Sequence, residues 1–175
     1  WQHPQRGMIP PAEFIPLLGR CGLVGDLTRY VLEGSIAECA EWQRQGLPLA
    51  VAVNLSARNL LDEDLPRFVL ECLGRHGVST NKLICEITET AVFSRSPIAA
   101  SVLDQLRAAG VGLSLDDFCT GYSSLSLLRE RTIDEIKIDR SFVADLGVES
   151  RSTQIVTALI ELAHRCDSGV SAEGS

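Results

Sequence analysis

The chain has 175 residues, 45% of them hydrophobic, and a formal net charge of −7. That is enough for one domain with a substantial core, but short of the roughly 200 residues that a complete β/α barrel usually needs. The acidic balance argues against sequence-independent nucleic-acid binding, which runs on Lys and Arg against phosphate, and no apolar run approaches the roughly 20 residues of a membrane-spanning helix.

The opening Trp1-Gln2-His3-Pro4 is neither a signal peptide nor an initiation site, so the expectation is a piece of a longer polypeptide. Two helical stretches come first, over 12–21 and 26–45, the second with Leu32, Ile36 and Cys39 on one face. From there short β-type runs alternate with longer helical patterns. A strand is predicted over 49–53. The helix after it, from about 64, has Leu65, Phe68, Val69, Cys72 and Leu73 at helical spacing and Gly74 and Gly77 at its end. A strand follows over 82–87. Ser96-Pro97 then supplies an N-cap and a first-turn proline for a helix with Ile98, Val102 and Leu106 as its buried stripe and Gly110 as its stop.

Next come a strand over 111–115, a short helix after Ser123 and a strand over 135–138. A longer helix carries Ile155, Val156, Leu159, Ile160 and Ala163, and a last strand covers 169–172. Repeated β-α units imply parallel strands joined by right-handed crossovers. Whether the sheet is doubly wound or part of a barrel, the pattern alone leaves open. No internal repeat, low-complexity tract or linker interrupts it, so residues 1–175 read as a single α/β domain. The cysteines Cys21, Cys39, Cys72, Cys85, Cys119 and Cys166 form no C-x-x-C pair. They read as unbridged thiols in a reducing cytoplasm, since a disulfide framework or a zinc site would want tighter clustering. His3, His76 and His164 share no ligand spacing and receive no role.

Polar residues fall where the strands end. Asn54 follows the first strand, Glu86 lies in the second with Glu89 just beyond, Asp116 and Asp117 follow the third, Lys137 lies in the fourth and Glu173 follows the fifth. Catalytic groups of barrels and open α/β sheets gather at this carboxyl face. So many carboxylates in one place would repel one another, and a bound cation is the simplest reason to tolerate them. Their oxygens suit Mg²⁺, Mn²⁺ or Ca²⁺ better than zinc. Each also has a bland role. Asp116-Asp117 could cap a turn, Asn54 could hold a loop, and Lys137 could neutralise a carboxylate; Glu86, inside a strand, needs a partner in any case. In the run from Asp116 to Ser124, Ser123 opens a helix whose N-terminus could accept a phosphate. Metals beside such a loop suggest phosphodiester hydrolysis.

The chain resembles the EAL-domain cyclic-di-GMP phosphodiesterases of bacteria. The matching segments are residues 9–16, Val51-Ala52-Val53-Asn54-Leu55-Ser56, Glu86-Ile87-Thr88-Glu89, the run from Asp116 to Ser124, residues 136–143, and Ala172-Glu173-Gly174. The resemblance implies an incomplete (β/α)8 TIM-like barrel, with about five of eight strands present in a domain truncated at both ends. It implies that Asn54, Glu86, Asp116, Asp117 and Glu173 hold two Mg²⁺ or Mn²⁺ ions. Lys137 would act on the attacking water, Glu89 would anchor the loop from Asp117 to Ser123, and Ser123 and Asp139 would lie at the bound ligand. Cyclic di-GMP would be opened to linear pGpG, in a cytoplasmic protein that forms homodimers and carries sensor or GGDEF-type domains. Neither a nucleic-acid polymer nor a membrane is an expected partner. The sequence departs from the family pattern at Cys119, where a glycine is usual, and the Glu-Ala-Leu signature would precede Trp1. Two other roles follow from those departures: a receptor that binds cyclic di-GMP without cleaving it, and a structural or dimerising domain that binds no metal.

Overall fold

The computed structural model describes residues 1–92, 96–118, 133–144, 146–147 and 151–172. A two-stranded antiparallel hairpin, β1 (Gln2–His3) and β2 (Gly7–Met8), leads into helices α1 (Pro11–Cys21) and α2 (Val24–Arg44). Five parallel strands follow: β3 (Val51–Leu55), β4 (Leu83–Thr88), β5 (Gly112–Phe118), β6 (Glu135–Ile138) and β7 (Gly169–Ala172). Between them run α3 (Leu65–His76), a single turn α4 (Glu89–Val92), α5 (Pro97–Ala108), α6 (Arg140–Ala144) and α7 (Arg151–Arg165).

The strands lie side by side in strict sequence order, β3-β4-β5-β6-β7. A doubly wound sheet reverses its order at a switch point. Here every right-handed crossover advances in the same direction, which puts the described helices that pack on the sheet on one face. This is barrel order, and it decides what the sequence pattern left open.

Each strand therefore has an outer and an inner face, set by the two-residue period. Val51, Val53 and Leu55 of β3, Leu83, Cys85 and Ile87 of β4, Leu113 and Leu115 of β5, and Ile136 and Ile138 of β6 are all buried on the outer face. Nearly all of them join one apolar core with Leu32, Ile36 and Cys39 of α2, Val69, Cys72 and Leu73 of α3, and Val102, Leu103 and Leu106 of α5. On α2 the buried Thr28, Leu32, Ile36 and Cys39 recur at helical spacing and form a single seam. Gly77 closes α3 with φ 67, a left-handed cap that a residue with a Cβ adopts only under strain.

Several boundaries differ from the sequence reading. The first sheet strand is Val51–Leu55 rather than 49–53: Leu49 is exposed, and Asn54 sits inside the ladder opposite Glu86 instead of after it. As the sequence predicts, the N-cap of α5 is Ser96, whose hydroxyl accepts from the Ala99 N–H at 3.4 Å. The buried stripe of α5 is Ala99, Val102, Leu103 and Leu106, while Ile98 faces solvent. Ile155 of α7 is likewise exposed, and α1 buries no residue. The β1–β2 hairpin was not predicted.

Candidate active site

The inner face of the sheet carries the polar residues. In register across the strands, Asn54 stands opposite Glu86, Glu86 opposite Ser114, and Ser114 opposite Glu135. One step nearer the carboxyl end, Thr88 pairs with Asp116, and Lys137 with Ser171. Residues opposite one another in a parallel ladder share a face, so Asn54, Glu86, Ser114, Asp116, Glu135 and Lys137 line one surface.

Glu86 is the hub. It is buried, and an ionised carboxylate there needs partners. The Lys137 ammonium lies 2.5 Å from its Oε1, and the Asn54 amide donates to its Oε2 at 3.1 Å. Both oxygens are thereby engaged, by groups from β6 and β3 on either side of β4. Below this pair the Ser114 hydroxyl donates to Glu135 Oε2 at 2.9 Å. Asp116 is half-buried in the same surface.

Asp116-Asp117 coincides with an irregularity in the ladder. Leu115 pairs with Ile136 and Phe118 with Ile138, so β5 spends three steps where β6 spends two. This is a β-bulge, a local device that re-aims successive residues and recurs beside active sites. Glu89 opens the one-turn α4 directly after β4. It is buried, and among the described residues neither of its carboxylate oxygens has a hydrogen-bond partner. Such a group is costly to bury and marks a place where something else is meant to bind or dock.

Asp139 stands at the start of α6. Its Oδ1 accepts from the Ser141 N–H at 2.9 Å and from the Ser141 hydroxyl. These bonds, that from the hydroxyl foremost, hold its carboxyl below the usual range. Ser123 and Glu173 lie outside the described residues, as does the side chain of Asp117. The structure thus brings together Asn54, Glu86 and Lys137 in direct contact, with Asp116 on the same surface and Glu89 at its rim. Glu135 and Ser114 belong to this surface too, and the sequence reading passed over them. Their even spacing from Lys137 and Asp116 was the available signal.

The donor set fits divalent cations. It consists of carboxylate and amide oxygens, with Lys137 already supplying positive charge to the carboxylate that would be the central ligand. Among the described residues the thiols Cys39, Cys72 and Cys85 lie buried with the outer core, where burial pushes Cys85 up to about 12.

The EAL domain family model matches residues 1–174. An uncharacterized signaling protein of Caulobacter vibrioides is 44% identical over 174 residues, covering 99% of this chain and 21% of that protein. The solved PaMucR phosphodiesterase in complex with c-di-GMP superposes with a TM-score of 0.91 at 37% identity, covering all of this chain and 71% of that one. Klebsiella pneumoniae BlrP1 in a manganese and cyclic-di-GMP complex gives a TM-score of 0.83 at 26% identity over 97% of this chain and 42% of that one. The chain spans between 21% and 30% of the length of eight of the curated relatives it matches.

Proposed function

The chain belongs to the EAL domain family, whose model matches it almost end to end, and from that membership we propose that its parent protein hydrolyses cyclic di-GMP to linear pGpG. The observation that carries the reading is the Asn54–Glu86–Lys137 cluster on the inner, carboxyl-terminal side of a barrel-ordered sheet, with Asp116 on the same surface.

In this reading Asn54, Glu86, Asp116, Asp117 and Glu173 hold two Mg²⁺ or Mn²⁺ ions. When bound, such ions lower the pKa of a coordinated water and neutralise charge on the phosphodiester. The protein's own groups do the rest. Asn54 orients Glu86 through its amide. Lys137 offers an ammonium that can turn from Glu86 to the attacking oxygen, a contribution made mainly in the transition state. The buried, unpartnered Glu89 is the anchor for the loop between Asp117 and Ser123, and Ser123 and Asp139 flank the ligand. The parent protein forms homodimers and joins this domain to sensor or GGDEF-type domains. No described helix is long and apolar enough to cross a membrane.

The test is hydrolysis of cyclic di-GMP by the intact protein, with pGpG identified chromatographically. Activity should appear with Mn²⁺ or Mg²⁺ and fall when Ca²⁺, with its longer and looser coordination, replaces them. Tight binding of the dinucleotide without turnover in either metal would make the protein a receptor and overturn the catalytic reading.

A further inference from the structure

A second cluster of metal-ligating groups lies on the opposite side of the sheet, between helices α2 and α3. Cys72 and His76 are four residues apart on α3, so they share one helical face. Glu33 projects toward them from α2. Its Oε2 accepts from the Cys72 thiol at 3.2 Å, and its Oε1 lies 2.8 Å from His76 Nε2. The Cys72 sulfur, a His76 ring nitrogen and a Glu33 carboxylate oxygen all fall within 4.8 Å of one another.

We propose that Glu33, Cys72 and His76 form a zinc-type site that clamps α2 to α3. The ligand chemistry differs from that of the inner face: one sulfur, one nitrogen and one oxygen make a set that selects Zn²⁺ over Mg²⁺ or Ca²⁺. Tetrahedral Zn²⁺, with bonds of about 2.0–2.3 Å, separates its ligand atoms by about 3.4–3.6 Å. Each observed separation differs from that by a shift of the kind an exposed side chain can make. Glu33 and His76 are 42% and 28% exposed at their side chains, so an ion enters from solvent and a water completes the coordination, while Cys72 supplies its sulfur from the buried side.

Two groups must yield. The Cys72 thiol loses its proton to solvent as the metal–sulfur bond forms, as thiol ligands do on zinc. The Arg75 guanidinium, which now contacts Glu33 Oε2, must swing away, and its side chain is 52% exposed and able to do so. Arg75 thus holds the place against Glu33 that the metal would take.

The test is a titration of the intact protein with Co²⁺, followed by absorption. Cobalt bound through a thiolate gives a sulfur-to-metal charge-transfer band, which an oxygen-only site on the inner face cannot give. One equivalent should bind with this band and be displaced by Zn²⁺. The band should vanish in Cys72→Ser, and affinity should fall by at least about ten-fold in His76→Ala and Glu33→Gln. Those two positions are partly exposed, so their variants decide the matter even if Cys72→Ser does not fold. Three results would overturn the proposal: no band in the unaltered protein, affinity unchanged in His76→Ala and Glu33→Gln, or a band abolished by Cys119→Ser instead.

Discussion

Two carboxylates organise this molecule, and they are built in opposite ways. Glu86 sits within a strand, buried, and is held by Asn54 from the adjacent β3 and by Lys137 from β6, two strands away on the other side. Glu33 sits on a helix, 42% exposed, and is held by Arg75, His76 and Cys72 from the next helix. Both accept from groups on other elements, yet only the first lies where a parallel sheet gathers reacting groups. Strands fix Glu86 through ladders on both sides, whereas Glu33 depends on one helix packing against another. Position in the architecture, more than local chemistry, separates a reaction site from a clamp.

The sharpest way to break this comparison is to neutralise each carboxylate. Glu86→Gln should lower kcat/KM for cyclic di-GMP on the order of 10²–10³-fold, the scale seen when one charge-stabilising group is lost, while Glu33→Gln leaves turnover unchanged. Equal losses in both variants would erase the distinction. Lys137→Ala comes next. It strands Glu86 as a buried, half-compensated charge, and without metal should cost about 3 kcal/mol of stability in denaturant titration. Mn²⁺ should restore most of it, and turnover should fall far more than ligand affinity. A loss of affinity at unchanged kcat would make Lys137 a substrate contact.

Glu89 sharpens the comparison from another side, because it is buried with no hydrogen-bond partner for its carboxylate among the described residues. Glu89→Gln should raise the stability of the metal-free protein by about 1 kcal/mol, since an unpaired charge is relieved, and lower activity. A gain in stability with full activity would remove Glu89 from the site.

The smallest effect concerns pH at the outer cluster. Hydrogen bonds from His76 first, then from Cys72, hold Glu33 at about 2 instead of 4.5. A carboxyl depressed on folding contributes stability that is complete above its unfolded value and fades as pH falls toward its folded one. Melting of the unaltered protein should therefore lose more stability between pH 4.5 and 2 than that of Glu33→Gln, modestly so because Glu33 is exposed to solvent screening. Identical acid profiles would show that these contacts do not survive in solution.

Much of this was legible in the sequence. Residues such as Leu83, Cys85 and Ile87 form apolar runs because the outer face of a barrel strand is covered by helices, and such runs announce themselves. The inner residues Asn54, Glu86 and Lys137 stood out because charge inside such runs needs a reason. The start of β3 was misplaced because apolar composition, not the ladder, drew its limits. The hairpin of Gln2–His3 and Gly7–Met8 is too short for any periodicity. The Cys72–His76 spacing was visible as four residues on a helix, but Glu33 lies 39 residues before Cys72, and only the packing of α2 on α3 joins them.

The bulge in β5 fits one more residue into that strand than into the facing stretch of β6. With the extra residue between Leu115 and Phe118, Phe118 keeps its place opposite Ile138 on the outer face, 1% exposed. Delete one of the two aspartates and the ladder would run in plain register: Leu115, the remaining aspartate and Phe118 would stand opposite Ile136, Lys137 and Ile138, and the ring would keep its place in the apolar core. A single-codon deletion at Asp116-Asp117 would therefore cost the polar surface a carboxylate and leave the pleat beyond it in phase. The bulge is thus a device for carrying two consecutive aspartates near the end of β5, and the outer core does not depend on it.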